Sequence, residues 1–461
     1  MSNKMNKEKW LYTFILLNPI YDILSSLFNY YGFSYSLSTL LRPIIPLLMI
    51  IYIFFTDRTV RKKLLILGSI YVSYVVTHLY LYNNIKTGIS YGNLLHEFQY
   101  LINYTYLIFT FLLFLYIFFK RENKLKDTLF YNILFYIVTI YISIITNTSF
   151  PSYVEGIGYR GWFNTSGAVG SILIISLFVL LPYLVKKEIK VGYKYFFIFI
   201  IAFYLCFLIG SRVGLYGSVL AMGSFILYNI LFNLFKRKKI RINKKNRFLI
   251  IGGCLVIVIM ISLFGSYTLE RRLQLDNITD KEIHIAYDLM DIRTAIINNT
   301  IEKNYMSNDQ IRALDSLYEH ANRINLPNVD MRKQQLIYHT YLYQYQKSVP
   351  LKLFGNGYLA NFGALTLEME GIALLFNFGI IGFVLYAMPF LSIFIYALYI
   401  GVQNIRKIDV EYMMYISGVF ISYAISLMAG HVYFNTSVMP VIIIAHVLLL
   451  NKVKAMKGEL K

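Results

Sequence analysis

The sequence predicts an all-α polytopic membrane protein with about twelve transmembrane helices and both termini in the cytoplasm. Three observations lead there: an apolar composition, a series of apolar runs of span length, and a basic excess confined to one set of loops. Of 461 residues, 57% are hydrophobic and only 15% are charged, against about 25% charged in soluble domains. Mean hydropathy is +0.55. The aromatic share of 17%, mostly Tyr and Phe, suits rings lying at lipid headgroup level. The same composition excludes a disordered chain.

A spanning helix needs about 20 mostly apolar residues. Such runs fall at 11–30, 41–55, 64–82, 98–119, 128–147, 167–185, 194–210, 213–234, 248–267, 371–400, 411–429 and 432–450. The second is short, and only Ser211 and Arg212 part the seventh from the eighth. The opening residues resemble the start of a signal peptide, but no small-residue cleavage site follows, so the first run reads as a retained helix. No repeat of fixed period appears, which sets aside an inverted-repeat transporter. The chain divides into helices 1–9 (1–267), a polar segment (268–370) and helices 10–12 (371–461), all within one integrated membrane domain.

Charge orients the bundle. With the N-terminus inside, the inner loops carry 29 of the 44 Lys and Arg but 8 of the 24 Asp and Glu, and the remainder is nearly balanced at 15 and 16. Positive charge gathers on the cytoplasmic side of membrane proteins. The net charge of +20 is therefore a topology signal, and Lys236–Arg247 a headgroup contact, with no nucleic-acid role. The two cysteines, Cys206 and Cys254, lie in apolar runs and form no CxxC or Cys/His cluster, so neither a disulfide framework nor a zinc site is expected.

This orientation puts Glu270–Glu370 outside, together with Tyr153–Asn164, the Ser211–Arg212 turn and His431. The outer segment has helical texture. Ile283, Ala286, Leu289, Ile292 and Ile296 form an apolar stripe. Asp330–Lys347 is a second helix, with Asp330 as N-cap, a face of Tyr338, Tyr341 and Tyr345 suited to headgroups or sugars, and Pro350 as its stop. Phe354-Gly355-Asn356-Gly357-Tyr358 reads as a turn.

Ionisable groups in or beside apolar spans need a reason. Arg212 suits bidentate capture of phosphate oxygens; interfacial snorkelling is its bland reading. Asp22 in the first span and Arg42 at the mouth of the second suggest a structural ion pair, with direct ligand contact as the alternative. Glu368 and Glu370 sit where the tenth span begins. They are candidate general bases, or acids placed by the helix dipole. His431, His320, His339, His78 and the His96-Glu97 pair are weaker candidates, and no metal-ligand spacing appears.

Several motifs then fall in order: Gly158-Tyr159-Arg160-Gly161-Trp162-Phe163-Asn164, Gly210-Ser211-Arg212, Leu353-Phe354-Gly355-Asn356-Gly357-Tyr358, Glu368-Met369-Glu370, Gly379-Ile380-Ile381-Gly382-Phe383 and Ala429-Gly430-His431. The series resembles the O-antigen ligase and polysaccharide polymerase family, especially its Gram-positive members. The resemblance covers the chain from about Gly158 to the C-terminus. It implies a GT-C-type glycosyltransferase fold with a large helical extracellular loop in the cytoplasmic membrane, and an active site on the extracellular face. It also implies undecaprenyl-diphosphate-linked oligosaccharides as donor and acceptor, and neither cofactor nor metal. The partners it implies are the lipid bilayer and other polysaccharide-assembly membrane proteins. Arg212 matches the family arginine after Gly-Ser, and Arg332 and Arg160 join it as implied diphosphate ligands. Ligases place a catalytic His where this chain has Glu368, which suits a polymerase with a carboxylate base: Glu368, or failing it Glu370 or His431. A ligase passing finished polymer to a wall or lipid acceptor is the nearest alternative. A polysaccharide flippase or transporter is the third, and charge clustered at the outer face argues against it.

Overall fold

The computed structural model describes residues 7–32, 41–84, 94–118, 122–153, 156–186, 200–235, 267, 308–324, 331–357, 367–428, 430 and 432–459. Fourteen named α-helices lie within them: α1 (Lys7–Tyr30), α2 (Ile44–Thr56), α3 (Arg58–Asn84), α4 (Leu94–Phe118), α5 (Glu122–Ile145), α6 (Ser166–Lys186), α7 (Arg212–Phe235), α8 (Asn308–Arg323), α9 (Met331–Tyr345), α10 (Val349–Phe354), α11 (Glu370–Tyr386), α12 (Met388–Gln403), α13 (Val410–Met428) and α14 (Met439–Lys457). Residues 200–208 are also helical. Eight of the helices (α1, α3–α7, α13 and α14) are long and apolar enough to cross a membrane. The α11–α12 pair passes the same test together, bent by 51°, and brings the count to nine if it crosses as one broken span. The chain is thus a multi-pass membrane protein whose described residues hold helices and no strand beyond the isolated Pro151–Tyr159 bridge. Residues 248–266 of the predicted 248–267 span and the 283–296 stripe lie outside the described residues, as does Asp330.

α14 occupies the centre, packed by α4, α5, α6, α12 and α13. Its residues are buried all round, as expected of a helix without a polar face. Two predicted boundaries fail around it. The last span does not begin at 432, because 432–438 is irregular and Pro440 sits in the first turn of α14, where proline is tolerated. Asn435 organises that stretch: its side-chain oxygen accepts from Ser437 N, and its carbonyl accepts from the amides of Val438 and Met439. The tenth span, expected as one helix over 371–400, is two helices meeting at Ala387, with Pro389 in the first turn of α12.

Breaks in membrane helices require substitute partners for the freed backbone groups, and the chain supplies them. Proline cannot bond the carbonyl four residues back. The carbonyl that Pro389 leaves free, Leu385 O, accepts from Tyr71 Oη at 2.6 Å. In α1 the equivalent carbonyl for Pro19 is Ile15 O, which accepts from Asn132 Nδ2 at 2.6 Å. α11 is interrupted again at Gly379, with φ 69°. There Phe376 O and Asn377 O accept from Asn356 N and Gly357 N at 3.3 and 2.9 Å, and Phe378 O accepts from Tyr74 Oη at 2.8 Å. The His78 ring faces Phe354 O at 2.6 Å and Glu97 Oε1 at 2.8 Å, tying this crossing to α3 and α4.

α8 and α9 pack on each other through a small separate core of Ala313, Leu314, Leu317, Tyr338 and Leu342. Tyr338 is therefore an interior residue rather than a headgroup ring, and burial raises its phenol pKa. Pro350 does not stop α9, which ends at Tyr345; it opens α10 instead. At the opposite end of the bundle, Lys126 and Lys452 both bond Glu411, at 2.9 and 3.0 Å, and Lys452 also bonds Asp409 at 2.7 Å.

Candidate functional site: a polar cavity at one end of the bundle

A cavity of about 480 Å³ opens among the ends of α1, α4, α6 and α11. Pockets of this size commonly hold small ligands. Its wall mixes polar and apolar groups: Asp22 and Asn29 come from α1, Arg42 from the approach to α2, and Tyr100, Asn103 and Tyr104 from α4. Phe163, Asn164 and Thr165 precede α6, Glu370 and Asn377 come from α11, and Phe434–Ser437 from the loop before α14.

Helical spacing places the α11 groups together. Glu370, Ala373 and Asn377 all line the cavity, as residues three and seven positions apart share one helix face. Glu370 is buried, and its carboxylate accepts from Tyr433 N at 2.5 Å and Phe434 N at 3.2 Å. A carboxylate offers about four lone-pair sites, so two backbone donors orient it while leaving acceptor capacity.

Below Glu370 lies a buried cluster. Arg42 forms an ion pair with Asp22 and also bonds Thr436 Oγ1. Tyr136 Oη and Ser437 Oγ both donate to Asp22, the former at 2.7 Å. Asn18 Nδ2 donates to Ser437 O at 2.7 Å. The 432–438 loop is thus clamped by α1, by Arg42 and by Glu370.

The motif before α6 is a short antiparallel clasp. Phe150 N donates to Gly161 O, Arg160 N to Phe150 O and Ser152 N to Gly158 O, at 2.9–3.1 Å. Tyr159 N donates to Leu208 O at 2.9 Å, joining the clasp to the 200–208 helix. Arg160 Nη1 braces Asn164 O at 2.6 Å. Burial lowers the Arg160 pKa from its usual value. Asn164 in turn bonds Asn29 and Ser25 on α1.

The predicted site residues separate into groups. Asp22, Arg42 and Glu370 line the cavity. Arg332 and Glu368 meet beside it, Nε to Oε2 at 3.1 Å, with side chains 42% and 43% exposed; Glu368 N also donates to Gln335 Oε1 at 3.2 Å. Arg160 stands behind the wall and supports Asn164. Arg212 is exposed at the start of α7, while Ser211 caps that helix by accepting from Gly214 N at 2.9 Å. α6 faces the cavity through Ala168, Val169 and Ile172 and meets Ser211 through Gly170. The Arg212 turn therefore lies across α6 from the cavity wall. His431 lies outside the described residues.

Sequence reasoning missed the five asparagines of the wall and the Asn435-Thr436-Ser437 turn. Asn377 carried a readable signal, being an amide inside an apolar run. The others lie near span ends, where an Asn is ordinary.

Fold and cavity define a class, namely a multi-pass membrane protein with a carboxylate-bearing polar site at one end of its bundle. The model of one family, O-antigen ligase like membrane protein, matches residues 3–456, and the chain belongs to that family. No curated protein and no solved structure matches it.

Proposed function

We propose that the chain is a polysaccharide polymerase. It joins undecaprenyl-diphosphate-linked oligosaccharide repeat units at the outer face of the cytoplasmic membrane. Family membership supports the coarser reading, a membrane polysaccharide-assembly enzyme of glycosyltransferase type. The observation that carries the finer one is Glu370: a carboxylate held by two backbone amides in the wall of a polar cavity. Such a group accepts a proton from a bound hydroxyl.

In this reading Glu370 takes the proton of the acceptor hydroxyl as its oxygen attacks the anomeric carbon of the donor. The bond to the lipid diphosphate breaks, the diphosphate leaves with the electron pair, and the anomeric centre inverts. Arg332 stabilises the departing negative charge from beside the cavity, whereas Arg212, across α6 from the wall, has no part in this step. Glu368 holds Arg332 in place. α8 and α9 cover the acceptor and limit water, which would otherwise hydrolyse the donor.

The test is the profile of lipid-linked saccharides after gene deletion. Loss of a polymerase leaves single repeat units on the lipid. Long lipid-linked polymer left in place would instead establish the ligase alternative.

A further inference from the structure

The cavity wall is unusually rich in amides. Asn29, Asn103, Asn164, Asn377 and Asn435 come from five separate parts of the chain, and each amide both donates and accepts hydrogen bonds. The rings of Tyr104 and Phe434 pack together beside them, with centroids 3.9 Å apart. Among the described residues the charged members of the wall are Asp22, Arg42 and Glu370. Arg42 is paired with Asp22, so the described wall holds no cation without a carboxylate partner. Such a wall offers a phosphate or carboxylate no spare counter-charge. It matches the chemistry of sugar hydroxyls.

Two wall residues add to this. Asn377 and Arg42 are 4% and 1% exposed, and among the described residues Asn377 Oδ1 and Arg42 Nε have no hydrogen-bond partner. A buried polar atom left unpaired is destabilising. The terminal amide torsion of Asn is soft, so Asn377 can turn its oxygen to a hydroxyl presented in the cavity.

We propose that this cavity is the subsite for an uncharged sugar residue of the acceptor, with Asn377 and Asn103 as specificity-determining residues that admit neutral hexoses and reject uronic acids. The diphosphate stays outside it. The assignment of the sugar to the acceptor rests on the polymerase reading, through the role given to Glu370. The preference for a neutral sugar rests on the wall alone.

Saturation-transfer NMR on the full-length protein in lipid nanodiscs tests it. The probes are methyl hexosides, methyl N-acetylhexosaminides and methyl glucuronide, with inorganic pyrophosphate as competitor. At least one neutral glycoside is expected to receive saturation, unaffected by pyrophosphate, while methyl glucuronide receives none. In Asn377→Leu and in Asn103→Leu the signal falls about five-fold, in keeping with loss of one hydrogen bond. Where Asn377→Leu does not yield folded protein, Asn103→Leu on α4 carries the test. No signal from any neutral glycoside, displacement by pyrophosphate, equal binding of the glucuronide, or a signal unchanged in the folded variants would each overturn the proposal. Polymer of normal length in the gene deletion, alongside intact sugar binding, would defeat the polymerase reading and leave the neutral-sugar subsite standing.

Discussion

Gly355 and Gly379 lie against each other, backbone to backbone. A Cβ on Gly355 would overlap Asn377 O, and one on Gly379 would lie 2.5 Å from Gly355 N. Both residues have positive φ, 90° and 69°, a region that disfavours any side chain. The crossing fixes the helix break that follows Asn377 in the cavity wall. Gly355→Ala and Gly379→Ala should each lose about 3 kcal/mol or more, seen as loss of folded protein in thermal unfolding of nanodisc samples. Gly68→Ala, with nothing within 4 Å, should unfold like the parent.

The Asp22–Arg42 pair supports the cavity floor. Removing one partner of a buried pair leaves a charge uncompensated, at a cost of about 3–5 kcal/mol. Arg42→Met alone should therefore abolish accumulation of folded protein. Combining it with Asp22→Asn should recover much of that loss. A double variant no better folded than Arg42→Met would show that the pair is not what the floor depends on.

Pro19 and Asn132 should be coupled. Asn132→Leu strips the partner from Ile15 O and should cost about 1–3 kcal/mol. Pro19→Ala restores an amide to that position, so the same Asn132→Leu change made in a Pro19→Ala background should cost clearly less. A double-mutant cycle on thermal stability reads the difference. Additive losses would refute the coupling.

The Arg332–Glu368 pair is half exposed, and such pairs contribute about 0–1 kcal/mol. Arg332→Ala should leave the unfolding midpoint nearly unchanged while suppressing polymer. The charge swap Arg332→Glu with Glu368→Arg separates two roles. A mere latch would regain activity in the swap, whereas an arginine that receives the departing diphosphate would not. The expected outcome is no recovery.

Much of the bundle was legible because its signals are local. Apolar runs at 64–82 and 213–234 became α3 and α7, and Asp330–Lys347 became α9. The errors fall where tertiary partners override a run. Residues 371–400 read as one unbroken helix because Gly379 and Pro389 are minor interruptions in sequence, yet Gly357 N, Tyr74 and Tyr71 wait to satisfy the freed carbonyls. Residues 432–438 read as helix because Tyr433 and Phe434 are apolar, although their amides are spent on Glu370. The asparagine wall was invisible because its members are spread from Asn29 to Asn435 and meet only in three dimensions. A search confined to ionisable groups found Glu370 and passed over Asn377.

The central claim is that Glu370, within the cavity, removes the acceptor proton. It is tested by supplying lipid-linked single repeat units, extracted from the gene deletion, to purified parent, Glu370→Gln and Glu368→Gln proteins in nanodiscs, and resolving the products by chain length. The account predicts a polymer ladder from the parent, none from Glu370→Gln folded to the parent level, and a weakened ladder from Glu368→Gln. A full ladder from Glu370→Gln would contradict it.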